Sequence, residues 1–239
     1  MRLLFALTLV LSSGCAQTVW TPSVALPWWE TEDQVPAERT ADDCVVVFDE
    51  VVIGIPRGGL FSDASLGELV GPQALQLVGA SPVTLGEIRV DAAAVPETFQ
   101  VAFGPVGPAP DPSPRWGNAD DGHRSSLGSG GAAVRFRVTC GDSTVSAALQ
   151  VGSTEAVCPV PEDLEIASQA SFGTVLEIDA SALIGPDAAA IEGLPWVAAD
   201  SDQDGEVSAE DAAELVGPAE LRARFEASLR SDAGACRSP

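Results

Sequence analysis

Val134, Phe136, Val138 and Cys140 alternate with Arg135, Arg137 and Thr139, the period-two pattern of a strand with one face in a core and the other in water. The segment 174–179 repeats it, with Leu176 and Ile178 opposed to Glu177 and Asp179. Runs rich in β-branched and aromatic residues predict further strands at 45–55, 75–78, 83–90, 98–103, 145–151 and 164–167. Gly/Pro turns separate them, and one long Pro/Gly stretch, 104–131, reads as a surface loop. Many short strands between such turns predict a mainly β fold, an antiparallel β-sandwich. No internal repeat of blade length is present, which argues against a propeller.

Toward the C-terminus the period changes. Residues 182–199 mix short helical and turn signals, and 209–216 reads as a helix. In 218–229, Pro218 stands in the first turn and Leu221, Phe225 and Leu229 form an i, i+4, i+8 apolar stripe. Short C-terminal helices are therefore expected to cap the sandwich.

The N-terminus reads differently again. Arg2, an apolar run from Leu3 to Leu11 and small residues up to Cys15 make a secretory leader, the run being too short to span a bilayer. Leu11-Ser12-Ser13-Gly14-Cys15 resembles the lipobox of bacterial lipoproteins, with Ser12 where that motif usually has Leu. The resemblance implies cleavage before Cys15 and lipid attachment to it; plain secretion is the alternative. Residues 16–43 mix prolines, acids and three tryptophans without sustained periodicity and read as a tether. The expected organisation is a signal peptide at 1–14, a tether at 15–43 and the sandwich with its helices at 44–239. Trp28 and Trp29 are expected to pack back onto the body, the alternative being an aromatic contact for headgroups or a sugar.

Composition narrows the function. Lys and Arg total 12 against 35 acidic residues, a formal charge of −23, so no basic face for nucleic acid can be assembled. The single His and the single Met, the initiator, exclude most zinc and copper chemistry. Beyond Cys15, four cysteines remain in an oxidising compartment, Cys44, Cys140, Cys158 and Cys236, and disulfides are expected. Of the three possible pairings, Cys140 with Cys158 and Cys44 with Cys236 would staple neighbouring strands and tie the domain's start to its end.

One segment carries chemistry. In DSDQDGEVSAED, residues 200–211, Asp200, Asp202 and Asp204 alternate so that their carboxylates converge, and Gly205 supplies a sharp turn. Glu206 would give its carbonyl, Ser208 a hydroxyl or a water, and Asp211 the closing carboxylate, while Val207 points into the core. Six acids in twelve residues oppose compaction without a cation, so Ca2+ is expected to order the segment. Ser208 and Asp211 also fit a capping box, which couples the ion to the start of helix 209–216. The spacing resembles an EF-hand loop, and Asp rather than Glu at the close resembles dockerin loops and implies weaker binding. Only one such loop is present, and Gly193 and Pro195 interrupt the entering helix. The layout resembles bacterial lipoproteins in which a β-rich body precedes a DxDxDG loop, helices and a terminal Cys.

Other constellations fail. Gly141-Asp142-Ser143 is similar to the GDS element of a lipase family, and Asp120 to His123 offers a D-x-x-H spacing, but the order along the chain is reversed. Asn118, Asp120 and Asp121 read as a solvated polar loop rather than a second cation contact. The expectation is an exported, lipid-anchored, monomeric calcium-binding protein of the cell envelope, a non-catalytic module for a protein or carbohydrate ligand. The competing classes are a carboxylate-dependent hydrolase and a dockerin-like attachment module.

Overall fold

A computed structural model describes residues 17–26, 29–30, 36–39, 45–79, 82–91, 94–108, 116–161, 171–179 and 204–239. Along the chain these form β1 (Gln17–Trp20), β2 (Ser23–Ala25), β3 (Trp29–Glu30), β4 (Pro36–Arg39), β5 (Val45–Ile55), β6 (Arg57–Phe61), β7 (Ser65–Glu68) and β8 (Gln73–Gln76). There follow β9 (Val83–Thr84), β10 (Ile88–Asp91), β11 (Thr98–Phe103), α1 (Asp121–Leu127), β12 (Ala132–Cys140), β13 (Ser143–Val151) and β14 (Thr154–Pro159). The chain closes with β15 (Ser171–Phe172), β16 (Val175–Ile178), β17 (Glu206–Val207), α2 (Ala209–Val216), α3 (Pro218–Ser228), β18 (Leu229–Ser231) and β19 (Gly234–Ala235).

The fold is mainly β and sandwich-like, with antiparallel and mixed sheets and few short helices. Its long sheet runs β17-β13-β12-β5-β4-β3, and β8 pairs β5 off that path. The alternating run of β12 lies between β5 and β13, with Val134, Phe136 and Val138 buried and Arg135 and Arg137 exposed. A register shift between Arg135 and Phe136 sets Asp49 aside: Arg135 faces Glu50, whereas Phe136 faces Phe48. That bulge turns Phe48 and Val51, three apart, both inward, and leaves Asp49 outside to accept from Nε and Nη2 along one edge of the Arg137 guanidinium at 2.8–3.1 Å. The other sheets are β14-β11-β6-β7, β10-β1-β15 and β19-β18-β16-β2-β9.

One apolar cluster joins these sheets to the C-terminal helices. Trp20 meets Phe99 edge to face at 4.9 Å, and Phe103 meets Phe225 in the same way at 4.9 Å. Leu221 and Phe225 of α3 are buried as expected, and Leu229, which leaves the helix to open β18, is buried with them. Burial of each such side chain contributes roughly 1.5–3 kcal/mol, which fixes the helix to the body.

Two expectations need correction. The tether reading fails for residues 17–26: β1 pairs β10 and β15, and β2 pairs β16 and β9. Trp20 is fully buried and its indole N–H donates to the Thr174 hydroxyl at 3.1 Å. Further on, β3 and β4 extend the long sheet from β5. The period-two signal was missing because β1 and β2 are only four and three residues long, with Pro22 between them.

The long loop is the second. It holds α1, whose buried Arg124 donates to the carbonyls of Ala119 (3.2 Å), Gly107 (3.3 Å) and Trp116 and so pins the surrounding loop. Predicted strand 83–90 is split in two, since Gly86 at φ +108 breaks it. Cys15, Trp28, Cys44 and the strand expected at 164–167 lie outside the described residues.

Candidate metal centre

The second half of the acidic loop is built against the body. Gly205 adopts φ +84, the left-handed turn expected of it, and Asp204 Oδ1 accepts the Glu206 N–H at 2.8 Å. The Gly205 carbonyl accepts the Ser146 N–H at 2.8 Å, and β17 then pairs in parallel with β13, Glu206 beside Ser146 and Val207 beside Ala147. Val207 is buried, as the pattern of the loop requires. The capping box also forms: Asp211 Oδ2 accepts from the Ser208 N–H (3.1 Å) and hydroxyl (2.6 Å), and the Asp211 N–H donates to Ser208 Oγ (3.2 Å). From there α2 runs over β13 with Ala212 buried.

Asp204, Glu206, Ser208 and Asp211 line a depression of about 500 Å³ whose other wall is β13 and Arg135. Their donors are all oxygen, the preference of a hard cation such as Ca2+. Asp200 and Asp202 lie outside the described residues, and among the described residues no group of three or more His, Cys, Asp or Glu side chains converges on a metal position. What the described half supplies is the turn, the two flanking carboxylates and a rigid seat. The seat itself, Ser146 and Ala147, carried no sign in the sequence beyond the inward phase of Ala147 in β13, because a parallel neighbour from so far along the chain leaves no local pattern.

The remaining polar candidates have structural work. Asn118 bonds the backbone of Gln76 twice, accepting at 2.9 Å and donating at 2.8 Å. Asp120 caps α1 through the His123 N–H at 2.8 Å, and that bond, opposed by slight burial and aided by the imidazole, holds its carboxyl below the ordinary range. His123 Nδ1 lies 2.8 Å from the same oxygen but off the direction of a hydrogen bond. Ser143 opens β13, beyond the two-residue turn after β12 in which Gly141 has φ +58. Gln150, which holds the end of α1, is seven residues further along the strand, roughly 23 Å, so His123 and Ser143 form no dyad.

The cysteines pair otherwise than expected. Cys158 is joined to Cys236 with Cα atoms 4.2 Å apart, so neither Cys140–Cys158 nor Cys44–Cys236 forms. The cause is β14, a strand that composition did not reveal. Val157 and Arg237 exchange both backbone hydrogen bonds, at 2.8 and 3.0 Å, which brings the next residues, Cys158 and Cys236, face to face.

A cleft of about 380 Å³ lies over the outer face of β14, β11, β6 and β7, where Gly59 and Ala102 leave the floor low. Its acids, Glu68 and Glu155, stand on strands three steps apart, roughly 14 Å at the backbone, and Glu155 is paired with Arg57. In comparison with known proteins, no family model, no curated protein and no solved structure matches this chain.

Proposed function

We propose that the protein is an exported, lipid-anchored calcium-binding module without catalytic activity, in which Ca2+ held by Asp200, Asp202, Asp204, Glu206, Ser208 and Asp211 clamps the C-terminal helices to the sandwich. The observation that carries this reading is the pairing of Val207 with Ala147 beside the Gly205 turn. It seats the exit half of the loop on the central sheet, as a lone loop with no sister loop requires. An ion closing the loop would then connect its entry to a helix that is already docked through Ala212. The same burial, with Val216 packed on the core, disfavours an attachment helix of the dockerin kind.

A clamp must show in stability. A ligand bound only by the folded state at a hundred times its dissociation constant stabilises by about 2.7 kcal/mol. Thermal unfolding in millimolar Ca2+ is expected to occur at higher temperature than in chelator, and identical melting would overturn the clamp.

A further inference from the structure

The lipid anchor, if Cys15 carries it, has almost no leash. Gln17 already stands in β1, two residues after Cys15, and two extended residues reach at most about 7 Å. Nor can β1 yield: it lies between β10 and β15, Thr18 and Trp20 are fully buried, and Trp20 is bonded to Thr174. The body is therefore rigid within three residues of the anchoring position.

That fixes which end of the fold meets the lipid. Gln17 pairs with Asp91, the last residue of β10, and the chain turns there, with the Ala94 N–H donating to the Asp91 carbonyl at 2.9 Å. Val95 projects from this turn with 74% of its surface exposed, while its neighbour Pro96 is buried. Only Val70 is a comparably exposed large hydrophobic residue among the described residues, and it lies beyond the other end of β7. Strand register puts the Ser62–Ala64 bend and the Pro159 end of β14 beside the Val95 turn, since Thr98 faces both Phe61 and Pro159.

We propose that this end of the fold, carrying Gln17, Asp91 and Val95, is a membrane-contact surface, held against the phospholipid headgroup layer by acyl chains on Cys15. The proposal rests on the lipid-anchor reading above. Asp63, Asp91 and Glu97 are exposed here, so attraction to anionic lipid does not create the contact. The covalent anchor imposes it, and Val95 supplies the apolar tip that tolerates it.

The test uses the full mature chain purified from membranes and reconstituted in phosphatidylcholine vesicles containing a lipid-borne quencher. Val95→Cys and Val70→Cys are labelled with a fluorophore, and unsubstituted protein gives the labelling background. The expected result is strong quenching at 95 and weak quenching at 70, with quenching at 95 lost when a Gly/Ser spacer of about 20 residues, spanning about 25 Å, is inserted after Ala16. Equal quenching at the two positions, or no effect of the spacer, overturns the membrane-contact surface while leaving the anchor intact. The mass of the N-terminal peptide separates the two failures: absence of acyl chains on Cys15 removes the anchor and the contact together.

Discussion

Val207 lies beside Ala147 in a parallel pair, so a loop from the last fifth of the chain adds a strand to the edge of the long sheet. The pairing makes the acidic loop part of the core rather than an appendage, because Val207 and Ala147 are both buried in the cluster that contains Phe136 and Leu149. Val207→Ala removes two methyl groups from that contact and is expected to cost roughly 1.5–3 kcal/mol in urea melts, with weaker calcium binding because the seat loosens. Unchanged stability would mean that the loop is not docked.

Gly205→Ala isolates the turn. A Cβ there would meet nothing closer than the Thr144 carbonyl at 3.9 Å, so the cost comes from φ +84 alone, about 1–2 kcal/mol. Calcium affinity should fall in parallel, measured by titration of the variant.

Thr174→Val tests whether the N-terminal strands are structural. It keeps the shape of the side chain but removes the Thr174 hydroxyl that accepts from the buried Trp20 indole N–H, a loss of about 1–3 kcal/mol. If residues 17–26 were a tether, the substitution would be silent in thermal unfolding.

Glu226 gives the fold an acid-sensitive joint. The Thr154 hydroxyl bonded to it holds its carboxyl below the usual glutamate range, against partial burial and with help from Arg222 and Ser238. A carboxyl lowered in the folded state stabilises above its unfolded value, about 4.3, and that contribution disappears as pH falls through the folded value. Glu226→Gln should therefore be less stable than the unsubstituted protein near neutral pH, and the two should converge below about pH 4 in urea melts.

Peptide mapping without reduction should recover Cys158 with Cys236, and by subtraction Cys44 with Cys140. The backbone register is in keeping with the second pair, since Val45 faces Thr139 and the two cysteines are their neighbours in sequence, Cys44 before Val45 and Cys140 after Thr139. Loss of the first bridge through Cys236→Ser, which opens a separation of 78 residues, is expected to cost about 2–4 kcal/mol.

Legibility followed the range of the signal. Period-two alternation located β12 and β16, runs of β-branched and aromatic residues located β11 and β13, and the i, i+4 stripe located α3, because each signal is local to its own element. β1, β2 and β7 lack the flanking alternation that extends the pattern of β16 over 174–179, and their identity comes from neighbours distant in sequence. In the candidate site, Gly205, the inward Val207 and the Ser208–Asp211 box were legible because all are local. The seat on β13 and the Cys158–Cys236 bridge were not, because both depend on which strands meet at a sheet edge.

The most direct measurement is calorimetric titration of the mature chain with Ca2+, alongside an Asp200→Ala, Asp204→Ala variant. The account predicts saturable one-to-one binding, of the order of 10⁻⁴–10⁻³ M for an extracellular site, that is lost in the variant. No binding at millimolar calcium, or binding unaltered by the two substitutions, would contradict it.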